Sequence, residues 1–188
     1  MKNEEISLRT KQMLAESLKR AMKKKPFSKI TVSEIIIDCN VNRKTFYYHF
    51  SDIYSLLKWM FEKEVIQVVQ NFDLLMNHEE AIEFVLDYVD KNDYIINCAY
   101  DSIGREEMKR FFYADFLSII SSFFDDIERS QDKKIEIEYK EFLIHFFTEG
   151  LTGMLMEYVK NQSSRNRQQI ITYLTRILEI IKKNIMEY

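Results

Sequence analysis

The sequence predicts an all-α protein, and three observations carry that prediction. Its 188 residues include only 3 Gly and 1 Pro. A sandwich or barrel needs a turn about every 8–12 residues, which so few turn formers cannot supply. Every segment long enough to test spaces its apolar residues by three and four, as helices do. The gaps between those segments carry helix caps and helix stops.

The first helix is predicted over about Ser7 to Lys24, with Met13, Leu14, Ser17, Leu18, Ala21 and Met22 on one face. Pro26 closes it, because proline cannot continue a helix and disfavours helical geometry in the residue before it. Thr31-Val32-Ser33-Glu34 has capping-box spacing and opens a second helix of two turns. Asn40 ends that helix, since asparagine, after glycine, best tolerates the left-handed conformation. Asn42 caps a third short helix from Arg43 to about Phe50. Ser51 or Asp52 caps a fourth, predicted to run to about Phe72. Asn77 and Glu80 mark a fifth start, with a break near Lys91 to Asp93 and a short helix to about Tyr100. Gly104 separates this from a long helix of roughly Glu106 to Glu128. Ser130 to Lys134 reads as a loop. The following helix has the clearest stripe: Ile135, Tyr139, Phe142, Phe146, Gly150, Met154 and Tyr158, with Leu143, Phe147 and Leu151 beside it. Asn161 to Ser164 interrupts the pattern, and a last helix carries Ile170, Leu174, Ile177 and Ile181 on one seam. The total is about nine helices.

Composition narrows the functional classes. Cys39 and Cys98 can form no disulfide framework and lack metal-ligand spacing, which suits a reducing, cytoplasmic setting. Charges at Lys2, Glu4, Glu5, Arg9 and Lys11 interrupt any signal-peptide core. The strongest apolar run, Phe116 to Phe124, is too short to span a bilayer, so no membrane association is expected. The net charge of −3 conceals an asymmetry. Residues 1–60 hold 12 Lys plus Arg against 6 Asp plus Glu, a balance of +6, while the other 128 residues sum to −9. A basic front on an acidic body points to a nucleic-acid-binding head.

Residues 31–50 give that head a mechanism. Two short helices joined by a tight turn form a helix-turn-helix, whose second helix enters the major groove of DNA. Asn42, Arg43, Lys44 and Thr45 open the second helix with side chains able to reach base edges. Tyr47, Tyr48 and His49 are suited to donate to phosphates. Val41, Phe46 and Phe50 pin the helix to a core, and Lys23 to Lys25 with Lys29 would add sequence-independent attraction. With Thr31, the candidate DNA-binding set is therefore Thr31, Asn42, Arg43, Lys44, Thr45, Tyr47, Tyr48 and His49.

Ile30-Thr31-Val32-Ser33-Glu34-Ile35, then Val41, Thr45-Phe46-Tyr47-Tyr48-His49-Phe50 and Leu56-Leu57, resemble the TetR family of bacterial transcriptional regulators. Phe146-Phe147-Thr148-Glu149-Gly150-Leu151 leading to Glu157-Tyr158 is similar to the C-terminal region of a subgroup that includes regulators of dihydroxyacetone kinase operons. The resemblance implies a three-helix DNA-binding head and a larger helical-bundle body, here residues 1–50 and 51–188. It also implies a homodimer that represses from a palindromic operator and is relieved by a small-molecule effector bound in the body. Three positions depart from the family pattern: Asn40 replaces a usual glycine, Ile36 a small residue and Ile53 a lysine. A coactivator, a member without ligand response, and a helical protein-interaction module stay open as alternatives.

Enzymatic chemistry has little to rest on. Gly104, Gly150 and Gly153 form no phosphate-cradling loop, and no cofactor is expected. His145 shares a helical stripe with Glu141 and Glu149, but a solvated charged stripe is the better reading than a metal site. His78 reads as a surface residue near a helix start. Gly150 and Gly153 in the most apolar helix suggest close approach of another helix, and the last two helices are the candidate dimer interface. Phe84, Tyr88, Tyr100, Phe112, Phe116 and Phe146 are aromatics that either line an effector pocket or fill the core.

Overall fold

The computed structural model describes residues 2–161 and 166–185. Every regular element of the described residues is a helix, and there are no strands among them. Helix α1 spans Lys2–Met22, α2 Val32–Asp38, α3 Arg43–His49 and α4 Ile53–Phe61. Beyond these, α5 spans His78–Lys91, α6 Asp93–Gln131, α7 Ile137–Lys160 and α8 Arg167–Asn184. Helix α1 begins earlier than its apolar pattern requires, because Glu4 and Glu5 in its first turn complement the positive end of the helix dipole. The start of the expected Asn161–Ser164 interruption is present, since α7 ends at Lys160 and Asn161 caps it; residues 162–165 lie outside the described residues.

Helix α4 does not continue as an α-helix to Phe72. It passes into a π-helical turn over Glu62–Ile66 and ends after Gln67–Val69. The apolar pairs explain the change. Leu56-Leu57 and Met60-Phe61 are four residues apart, but Val65-Ile66 follows after five, and all six are buried. A π-helical turn accommodates the extra residue in that step. Gly104, at φ 81° and ψ 167°, breaks α6 where the sequence places a separation. That positive φ is open to glycine at no steric cost. Counting α6 as two pieces gives the expected nine helices among the described residues.

The chain packs as two compact units, one of residues 1–64 with 92–104 and the other of residues 65–91 with 105–188. In the first, α1, α2, α3 and α4 close over Leu14, Leu18, Ile35, Phe46, Leu56, Leu57 and Met60, all essentially inaccessible. In the second, Ile120, Phe123, Phe124 and Ile127 of α6 and Ile135 form a cluster. Leu143, Phe147 and Leu151 of α7 and Leu178 and Ile181 of α8 pack against it.

Two polar clamps organise the second unit. Tyr158 donates its hydroxyl to Asp90, 2.9 Å from each carboxylate oxygen, while Arg167 pairs with Asp87 and Asp90. His78 corrects the surface reading: it is buried, donates from Nδ1 to the Leu74 carbonyl at 3.2 Å and faces Glu179 at 3.3 Å from Nε2. Its position at a helix start concealed this, because the burying contact comes from α8, about a hundred residues away in sequence.

Glu128 anchors the 132–136 connection. Only 6 % exposed, its carboxylate accepts from the Ile135 N–H at 2.9 Å, Lys140 Nζ at 2.9 Å and Lys134 Nζ at 3.0 Å. Lys140 first, then the Ile135 amide, hold its pKa at about 2, below the ordinary 4.5. The stabilisation is therefore complete above about pH 4.5 and disappears as pH falls toward 2. Replacing Glu128 with Gln should cost about 1–3 kcal/mol at pH 7, the range for a buried charge-assisted hydrogen-bond acceptor. In urea unfolding, the gap between wild type and Glu128→Gln should narrow as pH drops below 4.5; a gap that stays constant to pH 3 would show that the ionised carboxylate contributes nothing.

Candidate nucleic-acid interface

The exposed start of α3 is built by local chemistry. Thr31 caps α2: its hydroxyl accepts from the Glu34 N–H at 3.3 Å, and Glu34 Oε2 accepts from the Thr31 N–H at 2.8 Å. The Thr31 hydroxyl also donates to Glu34 at 3.0 Å. Lys25 pairs with the same carboxylate and, with Thr31, holds its pKa at about 2. Helix α2 then ends in a Schellman turn, with the Val41 N–H bonded to the Ile36 carbonyl at 3.0 Å and the Asn40 N–H to the Ile37 carbonyl at 3.1 Å. Asn40 takes φ 51° there, the left-handed geometry expected of it in place of glycine. Ile36 is accommodated half-buried, while Ile37 points to solvent.

Asn42 caps α3, its Oδ1 accepting from the Thr45 N–H at 2.7 Å and the Thr45 hydroxyl at 3.0 Å. Phe46 is fully buried, and the Phe50 ring lies 5.9 Å from it and 5.8 Å from Trp59. With those anchors inward, the other side of α3 faces outward. Arg43, Lys44 and Tyr48 are exposed, Tyr48 at 82 %, and Tyr47 is exposed on one side. The guanidinium of Arg43 sits 5.6 Å from the Tyr47 ring centroid and reaches the Tyr47 hydroxyl and Ser33 Oγ, both at 3.4 Å.

His49 differs from its neighbours. It is half-buried, with its ring edge-to-face to Tyr48 at 4.9 Å. Burial, then the charge of Lys11, pushes its pKa below the ordinary 6.5. At neutral pH it is an uncharged imidazole.

The basic flank is similarly resolved residue by residue. Lys23 lies over Tyr94 at 5.0 Å, Lys25 is taken by Glu34, and Lys24 and Lys29 are exposed. Lys11 covers Phe50 and Trp59 at 5.9 and 5.8 Å. Ser33 and Lys11 stand outside the candidate set that local spacing gives. Each meets its partner only after α1, α2 and α3 pack, so no local spacing announces it.

Elsewhere, His145 hydrogen-bonds Tyr113 at 3.1 Å and Glu149 pairs with Lys109. No group of three metal-ligating side chains exists among the described residues. No helix of the described residues is long and apolar enough to cross a membrane.

A family model for the C-terminal region of TetR-type transcriptional regulators matches residues 76–180, more than half of the chain. The chain belongs to the TetR family of transcriptional regulators. The HTH-type dhaKLM operon transcriptional activator DhaS of Lactococcus lactis subsp. lactis (strain IL1403) is 20% identical over 182 residues, spanning 96% of each chain. A solved structure of the dihydroxyacetone kinase operon activator DhaS shares the fold, with a TM-score of 0.72 at 19% identity, covering 94% of this chain and 97% of that one. The all-α TetR-like fold is thus established, and this regulator resembles the subgroup named from its C-terminal residues.

Thr31 and Asn42 have measurable structural duties whatever they bind. Thr31→Val and Asn42→Ala should each cost roughly 1 kcal/mol, a Tm decrease of about 2–4 °C for a chain of this size. Calorimetry of the single variants checks it; unchanged melting would mean that the caps are dispensable.

Proposed function

We propose that this TetR-family regulator is a homodimer that binds double-stranded DNA at a palindromic operator, with residues 1–50 as the DNA-binding head and 51–188 as the dimerisation and effector-binding body. The observation that carries the reading is the outward face of α3: Asn42, Arg43, Lys44, Thr45 and Tyr48 on a helix fixed from behind by Phe46 and Phe50. Arg43 and Lys44 match the acceptors on guanine, and Thr45 and Asn42 complete the base-facing set. Tyr48 donates to a phosphate, Thr31 does so only by exchanging its hydroxyl bond to Glu34 for one, Tyr47 borders Arg43, and neutral His49 adds one uncharged donor. Two copies of α3 in successive major grooves would lie about 34–36 Å apart. The protein acts in the cytoplasm, and no catalytic step is assigned to it.

The dimer part rests on a separate observation. In α7, Phe142 and Phe146 are 62 % and 59 % exposed, with their rings stacked 6.0 Å apart, and Met154 continues the same stripe. In α8, Tyr173, Ile177 and Ile180 are also exposed. A Cβ added at Gly150 or Gly153 would meet nothing within 4 Å, so packing inside one protomer does not require either glycine. Each lowers helix stability by about 1 kcal/mol relative to Ala. Close approach of α7 and α8 of a second copy gives these residues a purpose, in a four-helix arrangement about a two-fold axis.

The expected sign of regulation is repression relieved by a small effector, whose binding favours a conformer that does not fit the operator. A second reading, activation, has its own support: the L. lactis relative is named a transcriptional activator. The DNA-binding face serves either sign.

Selection of bound duplexes from a random pool should return a palindrome. On the selected duplex, Arg43→Ala should reduce discrimination against random sequence by about 1–3 kcal/mol per half-site, whereas Tyr48→Phe should weaken both sequences alike. Binding that falls steeply with salt but never prefers a sequence would instead indicate a basic interaction module. Separately, Phe146→Asp should convert the dimer to monomer in sedimentation velocity, and a dimer that persists would move the interface elsewhere.

A further inference from the structure

Arg43 makes more contacts than its exposure requires. A long arginine side chain at the first position of a short helix loses rotamer freedom when it docks on a base, and that loss weakens binding. Here two helices already restrain it. Tyr47, one turn further along α3, offers its ring face to the guanidinium at 5.6 Å, within cation–π range. The Tyr47 ring is itself braced edge-to-face at 5.4 Å against fully buried Phe46. From α2, Ser33 Oγ accepts from Nη1 at 3.4 Å, while the Tyr47 hydroxyl accepts from Nη2 at 3.4 Å. Both hydrogen bonds are long, so the edge of the fork is held loosely and can exchange these partners for a base. The face contact needs no such exchange.

We infer that Tyr47 and Ser33 are positioning residues for base readout: they hold the Arg43 guanidinium in orientation, so that Tyr47 acts through Arg43 and the phosphate role falls to its neighbour Tyr48. This rests on the DNA-binding reading above and assigns a selectivity function to Ser33, a residue outside the candidate set. It also separates two adjacent tyrosines by geometry. Tyr47 is 47 % exposed with one face covered by Arg43, whereas Tyr48 is 82 % exposed and meets the His49 ring.

The test uses the full-length protein, the duplex selected by wild type, its complete set of single-base-pair variants and a scrambled duplex. Tyr47→Leu should lower the preference at one symmetry-related position by about two- to fivefold. That position should be the one Arg43→Ala abolishes, and the salt slope should be unchanged. Tyr47→Phe keeps the ring face and should retain most of the preference, while Ser33→Ala should show a smaller loss at the same position. In an Arg43→Ala background, Tyr47→Leu should have no further effect. Equal weakening of selected and scrambled duplexes by Tyr47→Leu, or full additivity with Arg43→Ala, overturns the positioning role. A wild type that treats all duplexes alike overturns the DNA-binding reading itself, and with it this inference, and that result is visible before any variant is made.

Discussion

A helix of seven residues does not persist in water by itself, so everything α3 presents depends on the burial of Phe46 and Phe50. Those two rings fix its rotation. Phe46 is seated without solvent contact in the core shared by α1, α2 and α4, and Phe50 closes the end of the helix against Trp59. The Asn42 cap then sets where the helix starts, and the Schellman turn at Asn40 sets how α2 hands the chain over. Remove the aromatic anchors and the polar residues at the start of α3 have no defined direction. The proposed readout by Arg43 is thus downstream of a hydrophobic contact, with Tyr47 linking the two by bracing on Phe46 and covering the guanidinium.

Electrostatics in the same unit follow a consistent division. The acidic side chains of α2 are neutralised inside the unit, Glu34 by Lys25 and Asp38 by Arg20 at 2.5 Å. Of the exposed cations, Lys24 lies within electrostatic reach of Asp38, while Lys29, Arg43 and Lys44 form no ion pair with either carboxylate. Residues 1–60, with a formal balance of +6, therefore keep exposed positive charge, although the whole chain totals −3. The acidic residues that reverse the total lie beyond residue 60, where several take structural posts, including Glu128 at the 132–136 connection and Asp90 beneath Tyr158.

What the sequence made legible was local. Thr31, Asn40 and Asn42 announce caps and turns because the groups they satisfy lie within a few residues, and each performs the duty its spacing indicated. The periodicity that marked helices could not say which side of an apolar helix turns inward. In α7 the residues Leu143, Phe147 and Leu151 join the core, while Phe142 and Phe146 of the more conspicuous stripe face out. The π-turn of α4 was hidden for a related reason: a five-residue step between apolar pairs marks no helix irregularity unless each pair is known to be buried. His78 and Ser33 needed tertiary contacts, and only the fold brings Glu179 and Arg43 to them.

The apolar outer face of α7 and α8 has a consequence for discrimination in the proposed dimer. One α3 carries four side chains suited to base edges, and a single such helix separates specific from random DNA only modestly, at about 1–3 kcal/mol for each good bidentate contact. A dimer applies the same set twice, so the free energies of discrimination add and the preference ratio is squared. The second head also binds at the effective concentration its partner imposes, not at the bulk concentration. On the proposed reading, selectivity would depend on protomer association as well as on Arg43. In the proposed dimer the stacked Phe142 and Phe146, far from α3 in sequence, would then influence operator choice through protomer association. Gly150 and Gly153 fit that role because they leave room for a second backbone where the protomer itself places nothing.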